Sequence, residues 1–445
     1  MRHFAVVGSG PAGFYTAEAL AKAYGPAGES AARIDIIDRY PVPYGLIRFG
    51  VAPDHQSLKA VAKRYDKVAE SRGVGFIGNV CVGSDVSVDE LLEHYDAVIL
   101  AIGAPHDRKL GIPGEDLPGV IGSAEFVGWY NGHPDFADLA PPLDGSHAAV
   151  IGNGNVALDC ARILSKTRAE FDGSDIVGHA LDALDKSAIT TITILGRRGP
   201  HQIAMTPKEL GELAHLEAAL PVVDLSDFPP VDADDALQTG QRKSVTIRRE
   251  FTAIRANRRK TMIFDFFAKP LRIEGPSTSS GQAAHAERLV VERTELDEKG
   301  SARGTGETYE VPASLIVSCI GYSTPPIDGV PYDDRGGKFL NETGRIADRL
   351  YCVGWARRGP TGTIGTNRPD GYEVAEAVAA AMPPGSSGDR AGAEGLKRLL
   401  GSRGVKATDF ADWRKIEAAE EASARSGSPR EKMVRVDEWL RTLGR

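Results

Sequence analysis

The sequence predicts an α/β protein built from two three-layer units, one inserted into the other. A glycine-rich loop stands between an apolar strand and a helix near residue 8, and a second such loop stands near residue 152. Apolar runs that end at glycine also recur at residues 95–104 and 315–322, as expected of buried parallel strands. We therefore expect one unit to comprise residues 1–105 and 323–445, and the inserted unit to comprise residues 106–322.

The first loop, Gly8-Ser9-Gly10-Pro11-Ala12-Gly13, has the chain order of a Rossmann-like dinucleotide-binding βαβ unit. An apolar run at residues 4–7 precedes it, a helical stretch follows through Tyr24, and a second apolar run ends at Asp38. In such a unit the pyrophosphate lies at the helix N-terminus. A glycine-rich loop alone can also close a turn without a ligand, but here strand, helix and carboxylate accompany it.

Each glycine of this loop has a separate role. Gly8 permits the tight turn, Gly10 lets the backbone approach a pyrophosphate, and Gly13 lets the helix pack closely on the strand. Asp38 lies 30 residues after Gly8, further than the usual spacing of about 20. A longer turn at residues 25–28 fits the excess.

Composition excludes several classes of protein. The chain has 445 residues, 42% of them hydrophobic, which is enough for two or three domains with cores. No apolar run approaches the roughly 18 to 20 residues that a membrane span needs. Met1 runs directly into the first strand, so we expect no signal or transit peptide. The net charge of −8 argues against general nucleic-acid binding.

The four cysteines are scattered, without a CxxC pair or the spacing of cluster ligands. We therefore expect a reducing, cytoplasmic compartment, and no redox-active disulfide, metal site or cysteine-ligated iron–sulfur centre in this chain. The cysteines are Cys81, Cys160, Cys319 and Cys352.

The segment 39–55 is rich in proline and glycine but also in apolar residues, which indicates a packed loop beside a ligand. A lysine-rich helix is predicted over residues 57–72, and strands over 74–82. A crossing between domains is predicted at residues 105–118.

The second loop, Gly152-Asn153-Gly154-Asn155-Val156-Ala157, follows an apolar run at residues 148–151 and precedes a helix through Ser165. Alanine can replace the third glycine at the packing position. The next strand ends in Gly196-Arg197-Arg198, where a bare ribose would call for an acidic residue. Guanidinium groups pair bidentately with phosphate, so the two arginines favour a 2′-phosphate and hence NADP(H). The alternative is that they are surface charges in a turn.

Basic residues accumulate between residues 241 and 260 against a single acid, Glu250. In an acidic chain, such a patch could dock an acidic partner by electrostatic steering, or it could be only a solvated face. The predicted docking patch includes Arg242, Lys243, Arg258, Arg259 and Lys260.

A strand at residues 350–353 leads into a glycine-rich turn and then an alanine-rich helix over residues 370–382. The positive end of that helix would suit the electron-rich end of a reduced flavin ring. Trp355 could be a flavin contact or simply part of the core. The charged tail beyond it reads as a peripheral helical cap anchored by Trp413 and Trp439.

Together these motifs resemble the adrenodoxin-reductase type of ferredoxin-NADP reductase, among the two-domain flavoproteins related to glutathione reductase. The resemblance spans nearly the whole chain. Its most specific segments are residues 43–55, 152–157, 196–200, Gly354-Trp355 and 359–362.

The resemblance implies an enzyme in which FAD binds the first unit and NADP binds the inserted unit. FAD would be held by Gly8, Gly10, Ala12, Gly13, Asp38, Leu46, Val82, Trp355, Gly362, Thr363 and Ile364. NADP would be held by Asn153, Gly154, Asn155, Val156, Arg197, Arg198, Glu209 and Gly362. His55 and Glu212 match family positions near the nicotinamide and flavin, where they could position the ring or buffer charge. His55 could instead only cap its loop.

The implied activity takes a hydride from NADPH and releases single electrons to a separate ferredoxin-type iron–sulfur protein. An NADPH diaphorase or quinone reductase would share every motif, and so would a redox sensor that holds FAD and NADP without turnover. The small subunit of glutamate synthase has a related arrangement. It resembles chains with an N-terminal cysteine-rich cluster region, however, and this sequence has no such region. Disulfide reductases are disfavoured because a cysteine pair is missing.

Overall fold

The computed structural model describes residues 1–25, 32–202, 204–276, 285–384 and 388–445. The turn expected at residues 25–28 lies outside these residues apart from Gly25. None of the described helices combines the length and the apolarity needed to cross a bilayer.

The strands are β1 (Arg2–Val7), β2 (Ala32–Ile37), β3 (Val74–Ile77), β4 (Ala97–Leu100), β5 (His106–Asp107), β6 (Val120–Gly122), β7 (His147–Ile151), β8 (Thr191–Gly196), β9 (Ala219–Val223), β10 (Lys260–Phe266), β11 (Ala268–Glu274), β12 (Arg288–Leu296), β13 (Ala302–Pro312), β14 (Leu315–Ser318), β15 (Tyr322–Ser323), β16 (Tyr332–Asp333), β17 (Lys338–Phe339), β18 (Arg345–Ala347) and β19 (Leu350–Cys352). The helices are α1 (Pro11–Ala23), α2 (Leu46–Phe49), α3 (Gln56–Lys59), α4 (Ala62–Ala69), α5 (Val88–His94), α6 (Ser123–Asn131), α7 (Asn155–Ser165), α8 (Gly178–Asp185), α9 (Pro207–Leu213), α10 (Thr239–Glu250), α11 (Trp355–Arg358), α12 (Asn367–Ala381), α13 (Gly392–Ser402), α14 (Phe410–Ala422) and α15 (Val436–Thr442).

The first sheet has the strand order β18-β19-β4-β1-β2-β3 and is parallel except for β18. Residues of β1 alternate between its two faces, because side chains of a strand point to opposite sides. Phe4 packs in the core that includes α1 and α12, whereas Ala5 packs in the core that includes α5 and α13. The first unit is therefore a helix–sheet–helix sandwich, with strands drawn from both ends of the chain.

The second sheet has the order β6-β14-β7-β8-β10-β9, and all its pairings are parallel. One face packs on α7, since Val150 and Leu158 share a core. The other face packs on the antiparallel sheet β11-β12-β13, since Ile151 and Leu289 share a second hydrophobic core. This unit lies between β4 and β18 in the chain, so the predicted insertion of one three-layer unit into another is confirmed.

Chain crossings join the units where β5 pairs with β15. β14 ends at Ser318, earlier than the expected 322, because Gly321 (φ +114°) turns the chain toward that ribbon. β3 likewise ends at Ile77, because Gly78 exchanges backbone hydrogen bonds with Thr408 of the tail. The helix expected over residues 57–72 forms as two pieces, α3 and α4.

The C-terminal tail is not peripheral. Trp413 and Trp439 are fully buried, and the buried carboxylate of Glu420 on α14 binds Arg48 of α2 at 2.5 and 2.9 Å. Each of these charges needs the other, because an isolated buried charge is costly. The tail therefore completes the core of the first unit.

Candidate functional site

Of the three glycines in the loop after β1, one has open space beside it and the other two are closely packed. A Cβ at Gly8 (φ +113°) would lie 2.4 Å from the Ala101 carbonyl oxygen, and a Cβ at Gly13 would lie 1.9 Å from the Gly8 oxygen. Both glycines are thus required by packing. A Cβ at Gly10, just before α1, would meet no protein atom within 4 Å, so open space lies beside the helix N-terminus where a pyrophosphate would bind.

Asp38 lies directly beside this loop. Its carboxylate accepts hydrogen bonds from the Ser9 amide (2.8 Å), the Ser9 hydroxyl (2.5 Å) and the Tyr40 amide (3.0 Å). Burial raises the pKa of Asp38, and these hydrogen bonds oppose the rise. Val80, two residues before Val82, pairs with the same residue, because its amide donates to the Asp38 carbonyl at 2.9 Å. These hydrogen bonds join the end of β2 to the glycine loop and to the segment that follows β3.

The segment around Leu46 closes over the same loop. The Tyr44 amide donates to the Ser9 carbonyl at 3.1 Å, and a Cβ at Gly45 (φ +47°) would lie 3.1 Å from the Gly10 Cα. The Leu46 side chain, directly after Gly45, is 42% exposed. Its position fits a residue that a bound cofactor covers.

The second half of this cradle comes from the far end of the chain. A Cβ at Gly354 would lie 2.6 Å from the Ala12 Cβ, so the Gly354 turn rests against α1. Trp355 is only half-buried, hence it is not a core residue; its indole donates to the Thr361 carbonyl at 3.1 Å. Gly362 has φ +87°, and Thr363 and Ile364 accept hydrogen bonds that begin α12. The residues at Asp38, Gly10 and Trp355 would together suit a dinucleotide such as FAD.

The second loop repeats the arrangement of the first. A Cβ at Gly152 would lie 2.5 Å from the Cys319 oxygen, whereas one at Gly154 would meet no protein atom within 4 Å. The Asn155 side chain accepts from the Thr206 amide at 2.9 Å, and Val156 packs on the core. The Asn153 amide nitrogen is buried and has no hydrogen-bond partner in the described part of the chain. Such an unpaired donor is costly and fits a ligand on this loop.

Arg197 and Arg198 follow β8 with their side chains exposed. Their backbone is fixed, because the Arg197 carbonyl accepts from the Thr294 hydroxyl (2.8 Å) and the Arg198 carbonyl accepts from the Phe267 amide (3.3 Å). Among the described residues, neither guanidinium has a hydrogen-bond partner. Nearby in sequence, one Glu209 carboxylate oxygen is buried and likewise unpartnered there. The arrangement fits a nucleotide that carries a 2′-phosphate.

His55 and Glu212 connect the two units. His55 precedes α3 but makes no capping side-chain hydrogen bond; instead its Nε2 lies 3.1 Å from a Glu212 oxygen on α9. The hydrogen bond with Glu212 raises the pKa of His55. Burial opposes ionisation of Glu212, yet the bond from His55 and the charge of Arg162 bring the pKa of Glu212 below its usual value. The structure thus places the two predicted residues together.

Arg162 was missed from the sequence, although it organises this cluster. It is 2% exposed, pairs bidentately with Asp54 and lies 2.8 Å from Asp159. Its Nη2 also lies 3.2 Å from His55 Nε2. The only signal in the sequence was an arginine among the mainly apolar residues of the C-terminal half of α7, and its partners Asp54 and His55 come from a distant loop.

The predicted basic patch is partly wrong. Lys260 is 5% exposed, and its ammonium donates to the Leu164 carbonyl at 2.6 Å. Arg258 donates to the Ala214 and Ala219 carbonyls, so its charge is half-covered. The periodicity of a basic run does not show which long side chains turn inward to bind backbone. Arg242, Lys243 and Arg259 remain exposed.

Comparison with known proteins is consistent with this geometry. The family model described as pyridine nucleotide-disulphide oxidoreductase matches residues 2–212. NADPH-ferredoxin reductase FprA of Mycobacterium leprae is 40% identical over 99% of this chain and 98% of its own. Human mitochondrial NADPH:adrenodoxin oxidoreductase is 42% identical over 99% of this chain and 91% of its own.

Among solved structures, Mycobacterium tuberculosis FprA in complex with NADPH has a TM-score of 0.93 and 39% identity, with all of both chains covered. Identity at this level over the full length, together with the two glycine loops and the split cradle, confirms the resemblance drawn from the motifs. The chain belongs to the adrenodoxin-reductase type of NADPH-ferredoxin reductases, within the pyridine nucleotide-disulphide oxidoreductases.

Proposed function

We propose that this chain transfers electrons from NADPH, through bound FAD, to a ferredoxin-type iron–sulfur protein. It is an NADPH-dependent flavoprotein oxidoreductase, as are the proteins of its family. Bound FAD would supply the chemistry, since a flavin accepts a hydride and passes on single electrons. The polypeptide binds and orients the two cofactors.

One observation carries the proposal: side chains of the first unit and of the inserted unit meet at one interface. His55 of the first unit meets Glu212 of the inserted unit at 3.1 Å, and the Trp355 and Tyr322 rings stack with centroids 6.0 Å apart. Hydride transfer requires the two reacting rings to be held in contact. An interface to which both units contribute side chains supports that geometry.

Binding roles follow from the local geometry. The FAD residues are proposed to be Gly8, Gly10, Ala12, Gly13, Asp38, Leu46, Val82, Trp355, Gly362, Thr363 and Ile364. The NADP residues are proposed to be Asn153, Gly154, Asn155, Val156, Arg197, Arg198, Glu209 and Gly362. The open space at Gly10 and Gly154 and the unpartnered groups of Asn153 and Glu209 support these assignments.

His55 and Glu212 are proposed to hold a proton at the interface. A single nitrogen, His55 Nε2, faces both Glu212 and Arg162. When protonated it donates to Glu212; when neutral there, it accepts from Arg162. The protonation of His55 therefore changes the local charge without moving the backbone, which suits a group that balances charge during electron transfer.

The acceptor is proposed to dock on a basic surface that includes Arg242, Lys243 and Arg259, with Arg258 contributing partly. Lys260 is left out because it is buried. Exposed cations steer an acidic partner over a distance that salt shortens.

Steady-state turnover with a panel of ferredoxins, at several salt concentrations, tests the proposal. We expect rapid ferredoxin reduction whose kcat/KM falls as salt rises. Rates that do not depend on the salt concentration would contradict docking on this basic surface. Turnover with quinones or dyes but not with ferredoxins would favour the diaphorase alternative, and absence of any turnover would favour the redox sensor.

The domain division at residues 1–105, 106–322 and 323–445 is also proposed, and the membership of the two sheets supports it. A reducing, cytoplasmic location is proposed because the four cysteines are free thiols. Limited proteolysis that cuts near residues 105 and 322 would support the division, whereas cleavage confined to other positions would count against it.

A further inference from the structure

Arg248, on α10, carries a buried charge and is not among the residues proposed to bind FAD or NADP. It is 0% exposed. Its guanidinium donates to the Ser244 carbonyl (3.0 Å) and the Pro200 carbonyl (2.8 Å), and lies over the Phe266 ring at 5.5 Å. No carboxylate is within ion-pairing distance among the described residues, and Nη1 has no hydrogen-bond partner there. Burial lowers the pKa of Arg248 to about 9, so the group is still cationic at neutral pH.

Such a charge needs an explanation, because buried cations are normally paired. The acceptor Pro200 lies two residues after Arg198, in the loop that we name the phosphate loop (residues 196–202). Arg248 therefore lies beneath the segment that presents Arg197 and Arg198.

A second anchor of the phosphate loop comes from the neighbouring residue of α10. His201 Nε2 lies 2.7 Å from Asp234, and Arg249 binds the same carboxylate at 3.1 and 3.2 Å. Thr294 and Phe267 fix the loop from the opposite side through its carbonyls. The backbone of the phosphate loop is thus held on two sides while its own arginines stay free.

We propose that Arg248 is a positioning residue for the 2′-phosphate: it fixes the phosphate loop and adds positive potential beneath it, and thereby contributes to the preference for NADPH over NADH. The inference rests on the proposed function of Arg197 and Arg198. A preorganised loop spends less binding energy on ordering, and a charge in a low-dielectric interior acts more strongly than one in water. Part of the basic run that suggested partner docking would then serve cofactor choice.

Two substitutions separate the charge from the hydrogen bond. Arg248→Gln keeps a donor for the Pro200 carbonyl but removes the cation, whereas Arg248→Lys keeps the cation. For the flavin-loaded enzyme, kcat/KM is measured with NADPH and with NADH, together with inhibition by 2′,5′-ADP and by 5′-ADP. We expect Arg248→Gln to lower kcat/KM for NADPH by about tenfold, mainly through KM, and that for NADH by less than about threefold. Arg248→Lys should keep most of the preference.

Asp234→Asn gives a prediction of opposite sign and does not depend on how well the Arg248 variants fold. It keeps the acceptor oxygen shared by His201 and Arg249 Nη2 and loses only the acceptor of Arg249 Nε. Because it removes a negative charge that opposes the field of Arg248, 2′,5′-ADP should bind more tightly while 5′-ADP is unaffected. Arg303→Gln, an exposed arginine on β13, is the control and should change neither ratio.

The inference is overturned if Arg248→Gln lowers both coenzymes equally or leaves their ratio unchanged, or if Asp234→Asn leaves 2′,5′-ADP binding unchanged. Failure of the proposed function would look different. In that case the unmodified enzyme itself would not prefer NADPH.

Discussion

At the scale of single residues, the interface depends on the two neighbours of one nitrogen. His55 Nε2 lies 3.1 Å from Glu212 and 3.2 Å from Arg162, and it cannot donate to the first and accept from the second at once. Since the pKa of His55 is raised above its ordinary value of 6.5, the His55–Glu212 ion pair stabilises the fold fully below pH 6.5. This contribution is lost as pH rises through the raised pKa.

Glu212→Gln tests this arrangement. The change removes the largest cause of the raised pKa of His55, so the His55 titration should move to lower pH. NMR titration of the imidazole, with His55→Asn used to assign its signal, measures the midpoint. The pH profile of flavin reduction by NADPH should shift in the same direction. A midpoint that does not move would show that Glu212 does not set the charge of His55.

The two arginines after β8 give a second prediction at this scale. Because a hydrogen bond to a charged group contributes about 1.5–3 kcal/mol, Arg197→Ala or Arg198→Ala should each raise KM for NADPH by about tenfold or more. KM for NADH should change little. Steady-state kinetics with both coenzymes, and Arg303→Ala as an exposed control, measure the effect. Equal losses with both coenzymes would instead indicate general damage to the loop.

At the scale of an element, the β1–loop–α1 unit separates packing glycines from a ligand-binding glycine. Gly13→Ala would place a methyl group 1.9 Å from the Gly8 oxygen, so we expect a destabilised protein. Gly10→Ala meets no protein atom within 4 Å, so the variant should fold but bind little FAD, because its methyl occupies space that the pyrophosphate needs. Thermal unfolding of the apoprotein and flavin absorbance per chain distinguish the two. Normal flavin content in a folded Gly10→Ala variant would show that FAD does not bind against Gly10.

Elements of this unit could be predicted because their signals are local. The glycine loops, the apolar strands and the arginines after β8 all lie within short segments with a known physical purpose. Arg162 and Arg248 could not be assigned, because their partners, Asp54 and Pro200, lie far away in the chain. The inward turn of Lys260 was missed for the same reason, since its acceptor is the Leu164 carbonyl.

At the scale of the whole molecule, the tail joins the two units. Its Glu420 binds Arg48 in the first unit. Further along, the Ser428 hydroxyl donates to the Ser174 carbonyl at 2.8 Å, and Lys432 lies 3.5 Å from Asp175 of the inserted unit. Lys59 of α3 binds the same aspartate at 2.7 Å. One buried carboxylate thus connects three parts of the chain at the interface.

Removing one partner of the Arg48–Glu420 pair should be costly, since the buried charge that remains loses its nearest ionic partner. Arg48→Met or Glu420→Leu should each destabilise the protein by about 3–5 kcal/mol, whereas the variant that combines these two substitutions should lose less than the two single changes added together. Denaturant unfolding of the holoprotein measures this. Arg403→Met, which breaks the exposed pair with Glu90 at 2.5 Å, is the control and should have a much smaller effect. Additive losses would show that the two side chains act independently.

The proposed activity transfers electrons from NADPH, through bound FAD, to a ferredoxin. Rapid mixing of the flavin-loaded protein with NADPH, followed by oxidised ferredoxin, tests it most directly. We expect NADPH to bleach the flavin absorbance faster than NADH does, and oxidised ferredoxin then to restore it while becoming reduced. Bleaching at least as fast with NADH, or a reduced flavin that ferredoxin does not reoxidise, would contradict it.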